Sequence, residues 1–377
     1  MNTIPLILIG TLIAPLSRIA DAVPLRGDGE ESALRAPASQ PAATRATVQK
    51  LIESGRAEEA LVLVSSPSGT FPDFDRHELT GRACLALQRW AQARDAFEAA
   101  VRERPDAVAC HFRLGMVHVG AGNDRLALAA FEKADFHGLD TAEFHAAWAE
   151  VLLRRGTLFG DVRKRTFAND RLTPGTVFDN SVVIVRPAAE GKNRYVVAPR
   201  ASALFQACRA VQLSPQSAEF AEIAGNVWAS AGMPEQAVRE YARACPILPE
   251  PRRGACLERW GECLLKLGDF DGYLARLRER MALPGGLTTV ETAEAYSRLA
   301  AAAAEKGDSA RQVRYLTIAV EVEPDSVERR LLLGDALAWS GRFAEAAEQW
   351  REVLRLRPDH PRAEELTKML RDLDATP

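Results

Sequence analysis

Histidine and cysteine are the residue types with the most chemistry to offer in this chain, and their spacing forms no recognised reactive arrangement. The six histidines, at 77, 111, 118, 137, 145 and 360, contain no His-Glu-x-x-His pair and no other zinc spacing. His111 and His118 lie two turns apart on one predicted helix, which reads as packed imidazole rather than a ligand pair. The six cysteines, at 84, 110, 208, 245, 256 and 263, form no Cys-x-x-Cys pair and no haem-attachment motif. Cys256 and Cys263 are seven residues apart on one predicted helix, about 10 Å along its axis, too far for a disulfide. Cys245 and Cys256 flank a predicted loop. They meet as a bridge if the compartment is oxidising, or they are simply small buried hydrophobes. There is no nucleophile elbow, no phosphate-cradling glycine loop and no dinucleotide fingerprint. The sequence thus predicts no catalytic residue, no cofactor and no metal, and a chain that is not an enzyme.

The glycines instead follow a period, and this organises the elements. Pro324 and Pro358 lie 34 residues apart, and each closes a stretch with the same order of small and large apolar positions. A small residue recurs midway along a first helix at Gly81, Gly115, Ala149, Gly225, Gly261, Ala300 and Gly334. Seven residues later comes a helix-ending glycine (122, 156, 232, 268, 307, 341), with only Gln88 breaking the rule. The second helix then presents small, large and small residues, as in Ala93/Phe97/Ala100, Ala127/Phe131/Ala134 and Ala346/Trp350/Val353. Residues seven apart share a helical stripe, so the small ones admit a neighbouring helix and the large one fills the gap. Prolines 105, 215, 249, 324 and 358 stop the second helix. The departures are Leu139, where a proline is missing, and Tyr273 and Arg280, which stand at expected small positions.

These landmarks closely resemble the tetratricopeptide repeat family, over roughly residues 44 to 360 less one interruption. The resemblance implies an all-α, right-handed superhelical α-solenoid of stacked helical hairpins, with an inner and an outer face, that binds protein or peptide partners. It also implies which residues line the inner face: those three before and one after each small position. The pairs are Glu78/Arg82, Phe112/Met116, Ala146/Glu150, Glu222/Asn226, Glu258/Glu262, Ser297/Ala301 and Leu331/Asp335, six acids against one base. The expected groove residues are therefore Glu150, Glu222, Asn226, Glu258, Glu262 and Asp335, suited to a cationic segment, although glutamate also favours any exposed helix face. Phe112, Met116 and Val119 are expected to point inward together, either as an anchor pocket or as a patch covered by the N-terminal segment. Glu78 and Glu222 stand where the clamp of chaperone-binding relatives needs lysine, so an acidic C-terminal peptide is not an expected ligand.

One spacing, from Ala149 to Gly225, is 76 residues, a repeat plus 42. The excess holds two β-branched runs, Val182–Arg186 and Arg194–Ala198, which predict a β-hairpin that must pack on something. From Thr157 to Arg200 there are eight bases and four acids, with Arg163, Lys164 and Arg165 consecutive. This basic insertion is read as a cover competing for an acidic groove, as a contact for a separate anionic partner, or as a passive loop.

Net charge is −3, which argues for no nucleic-acid partner. Ile4–Leu16 is apolar and is followed by Ala20-Asp21-Ala22, the pattern of a signal peptide, although Met1-Asn2-Thr3 carries no basic side chain. The expectation is an exported chain, periplasmic or extracellular, without an integral span once processed; an uncleaved membrane anchor and a cytoplasmic chain are the alternatives. The organisation expected is a leader at 1–22, an Ala/Pro-rich tether at 23–43, repeats at 44–156, the insertion at 157–199, repeats at 200–360, and a terminal amphipathic helix with its tail at 361–377. The functional expectation is a non-enzymatic scaffold. An assembly or carrier factor presenting a substrate to a separate enzyme is the alternative, and an enzyme using the insertion as a lid is a third.

Overall fold

The structure, a computed structural model, describes residues 44–66, 71–167, 172–185, 194–250 and 252–374. The expected leader and tether lie outside the described residues. The described residues form two compact units, divided between Val227 and Trp228.

Helical hairpins build the first unit: α1 (Arg45–Glu53) with α2 (Ala57–Ser65), α3 (Asp73–Ala86) with α4 (Trp90–Glu103), α5 (Val108–Gly120) with α6 (Asp124–Phe136), and α7 (Ala142–Arg154) with α8 (Ala203–Leu213). Helix α9 (Ala218–Ser230) carries the division. The second unit continues with α10 (Pro234–Ala244), the hairpins α11 (Arg252–Leu267) with α12 (Phe270–Met281), α13 (Thr289–Glu305) with α14 (Ser309–Val322), and α15 (Val327–Trp339) with α16 (Phe343–Leu356), and ends with α17 (Ala363–Asp374). No helix among the described residues is long and apolar enough to cross a membrane.

The repeat's small and large positions meet as the stripe argument requires. A Cβ added at Gly81 would lie 2.7 Å from the ring of Phe97, and one added at Gly334 would lie 2.5 Å from Trp350 Nε1. Glycine at these positions is what lets a fully buried aromatic seat between two helices. In the divergent hairpin α11–α12 the roles persist with other residues: Tyr273 packs over Gly261 and Arg280 over Gly254, each 3.1 Å from where a Cβ would stand, closer than ordinary van der Waals contact. The helix-ending glycines all take positive φ, between 72° and 79°. Gln88 takes φ 57° at the same position without glycine's freedom. Leu139 needs no proline, because Gly138 (φ 87°) ends α6 and Leu139 N–H closes back on Ala134 O at 3.0 Å.

Within the insertion the expected hairpin is present as β3 (Ser181–Val185) and β4 (Arg194–Pro199), paired antiparallel. The turn between them falls outside the described residues. Two strands that the sequence did not suggest complete a four-stranded antiparallel sheet in the order β1-β4-β3-β2: β1 (Arg163–Thr166) and β2 (Val177–Phe178). Phe167, Val183, Tyr195 and Val197 form its own small core, and β2, β3 and β4 rest against α8. The excursion begins and ends at one place. Ala203 N–H donates to Thr157 O at 3.0 Å and Leu204 N–H to Leu158 O at 3.2 Å, so α8 follows α7 as a partner helix should.

A candidate functional site on the first helices of the second unit

The expected inner-face residues do not share one environment. In the first unit Phe112, Met116 and Val119 are buried, which corrects the picture of an apolar patch open to solvent. Phe112 lies 6.0 Å from Phe131 and 5.8 Å from Phe144, ring centre to ring centre, in an aromatic cluster between hairpins. Glu150 and Glu222 are also buried, Asn226 is half-buried, and all three already hold partners within the chain.

Glu78 is the centre of a closed ion cluster. It accepts from Arg45 Nη2 at 2.9 Å and from Arg113 Nη1 at 3.0 Å. Burial pushes the Arg113 guanidinium below its usual range, and the Glu78 charge opposes that shift. Such a cluster holds α1, α3 and α5 together and leaves no acid for a ligand.

Asp335, expected in the groove, is likewise committed. It accepts from Trp350 Nε1 at 3.2 Å and from Arg362 Nη1 at 2.7 Å. It satisfies the indole that fills the Gly334 slot and ties down the approach to α17, so a ligand would have to displace both.

Glu258 and Glu262 on α11 are different, with side chains 58% and 52% exposed. They stand one turn apart and face Glu294 on α13. Arg298, one turn beyond Glu294, sits among all three, with its nitrogens 3.7, 3.8 and 3.6 Å from Glu258, Glu262 and Glu294. These separations exceed hydrogen-bond length, so the guanidinium is held by field rather than by fixed geometry. Arg329 Nη2 approaches the other side of Glu294 at 3.5 Å.

The carboxylates border a cleft of 310 Å³ whose apolar lining includes Leu257, Leu277, Leu287, Val290 and Ala295. Arg276 covers the face of Trp260 at 4.1 Å, and Tyr273 donates its hydroxyl to Ala295 O at 3.4 Å. Burial, reinforced by the three acids and opposed by Arg298, pushes the Tyr273 phenol up to about 12. It stays protonated and acts as a donor at any physiological pH. The site contains no nucleophile–base pair, and what it can do is hold a cation beside apolar surface. Glu294 and Arg298 lie outside the two positions per helix that the resemblance implies for the inner face. The readable signal was the Glu294–Arg298 spacing of four on a predicted helix.

The basic triplet of the insertion is partly absorbed by the sheet. Arg163, Lys164 and Arg165 form the exposed edge strand β1. Arg165 donates to Asp179 at 3.0 Å and to Ser181 at 3.2 Å and covers the ring of Phe167 at 5.3 Å, while Lys164 also holds a partner. At the root of the sheet, His145 Nε2 meets Asp140 at 2.8 Å, and its Nδ1 bonds Gln206 Oε1. Gln206 Nε2 donates to Arg200 O at 2.7 Å, and Arg209 Nε donates to Asp140 at 3.0 Å. This network anchors the insertion to α7 and α8.

The sequence profile of the tetratricopeptide repeat matches residues 79–141 and 297–361. No curated protein matches the chain. Among solved structures, the C-terminal part of a repeat-containing protein from Cytophaga hutchinsonii is 13% identical and covers 78% of this chain and 98% of that one, with a TM-score of 0.46. A tetratricopeptide repeat protein from Parabacteroides merdae is 12% identical and covers 79% and 99%, with a TM-score of 0.41. The Cut9–Hcn1 hetero-tetramer of the APC/C is 14% identical and covers 78% of this chain, with a TM-score of 0.43; the chain spans about half, 48%, of that protein's length. The two profile matches fall on hairpins whose small-to-aromatic packing is described above, and these two stretches of the chain are tetratricopeptide repeats.

Proposed function

We propose that the chain is a protein-binding scaffold that takes a basic segment of a partner at the cleft between α11 and α13. Three carboxylates converging on a loosely held guanidinium carry this reading. Arg298 occupies the place an incoming arginine or lysine would take, and an exposed pair of this kind is worth only about 0.2–1 kcal/mol, so it yields readily. Leu287 and Val290 offer apolar surface to the stem or neighbour of the entering side chain.

Fluorescence anisotropy with labelled tetra-arginine and tetra-glutamate peptides tests it. The expected result is salt-sensitive binding of tetra-arginine alone, weakened about tenfold when Glu258, Glu262 and Glu294 are all changed to Gln, and strengthened by Arg298→Ala. Equal affinity of the triple variant and the parent for tetra-arginine removes the cleft from the function.

A further inference from the structure

The junction of α10 and α11 brings two thiols together. Cys245 ends α10 in helical conformation, with its N–H on Tyr241 O at 2.9 Å. The chain then turns back at once: Ile247 and Leu248 N–H both reach Ala244 O at 3.1 Å, and Arg253 N–H bonds Pro249 O at 3.0 Å. Pro246 and Pro249 stiffen this short connection. The first turn of α11 therefore faces the end of α10. Cys245 Sγ lies 3.9 Å from Arg253 O, and Cys256, one turn further along α11, shares a thiol hydrogen bond with Cys245. Both residues are buried.

We propose that Cys245 and Cys256 are a disulfide-forming pair, oxidised by a disulfide-bearing reagent such as glutathione disulfide or a thiol–disulfide oxidoreductase. Cys245 is the attacking sulfur. The Cys256 hydrogen bond holds its thiol below the ordinary value, the positive fields of Arg253 and Arg276 add to this, and burial opposes it. Elsewhere burial pushes the thiols up, Cys110 to about 12 and Cys263 to about 11, and Cys84 in the same direction, which leaves these three unreactive.

The Cys245 thiolate attacks one sulfur of the oxidant, breaks its S–S bond and releases one thiolate. Cys256 then loses its proton and attacks the Cys245 sulfur, breaking the mixed disulfide and releasing the second thiolate. The two cysteines give up two electrons and two protons, and the oxidant becomes two thiols. Because both sulfurs are buried in the finished fold, the exchange belongs to folding or to local opening of the junction. An exported chain of the kind its N-terminal run predicts meets such oxidants while it folds. Once formed, the bond fixes α11 two residues before Glu258, and with it one wall of the acidic cleft.

The full chain is refolded with oxidised glutathione or with dithiothreitol, unfolded in guanidinium chloride at about pH 8 with excess iodoacetamide present so that every free thiolate is alkylated, and weighed. The expected result is four adducts after oxidation and six after reduction, with a non-reduced digest joining Cys245 to Cys256. Oxidised protein should melt about 5 °C above reduced protein, a difference that vanishes in both Cys245→Ser and Cys256→Ser. Six adducts after oxidation, or a link between any other pair, overturns the proposal.

Discussion

Gln88 holds a backbone conformation that glycine holds at 122, 156, 232, 268, 307 and 341. A side chain in the left-handed region crowds the following carbonyl by roughly 1–2 kcal/mol, part of which glycine returns through its freer unfolded state. Gln88→Gly should therefore raise stability by about 0.5–1 kcal/mol, read as a higher urea midpoint at unchanged slope. A lower midpoint would show that the Gln88 side chain makes up for its own strain. The sequence marked this position as the one irregular helix stop, because backbone shape is written in residue type. What surrounds a side chain is not written there. Register put Phe112, Met116 and Val119 on the inner face, but their burial comes from neighbouring hairpins. Asp335 looked available because the groups that hold it, Trp350 and Arg362, lie 15 and 27 residues away.

At the scale of elements, the hairpins were legible because every one repeats the same packing rule, whereas half the sheet was not. β3 and β4 announce themselves by β-branched runs, but β1 is Arg-Lys-Arg-Thr and owes its extended form to main-chain pairing with β4. The helix α8 on which the sheet rests is tied to His145 of α7 through Asp140. Hydrogen bonds from Arg209 first, and from His145, hold its carboxyl at about 2 against an ordinary 3.8, while partial burial opposes them. The folded state thus favours charged Asp140. The stability this contributes is complete above pH 3.8 and is lost as pH falls towards about 2. Asp140→Asn should lower the urea midpoint at pH 6, and its deficit against the parent should shrink at about pH 3 and again at about pH 2.5. A deficit that stays constant across this range would assign the effect to shape rather than charge.

For the whole molecule, stacked hairpins make stability a sum of neighbour terms, so damage stays local. Trp350 is buried in the core that links α15, α16 and α17. Its replacement by Ala should cost about 3–5 kcal/mol there. Amide exchange in that variant should accelerate in α15–α17 and stay at parental rates in α3–α6; uniform acceleration would mean that the chain unfolds as one block. The same economy governs the insertion. Its entry at Thr157 and Leu158 is stitched to its exit at Ala203 and Leu204 by backbone hydrogen bonds, so the helices count the whole excursion as zero length. The array is in effect a rack with one socket, and the sheet is a cartridge in it. The contents of that socket can change in size and chemistry without disturbing the register of a single repeat on either side.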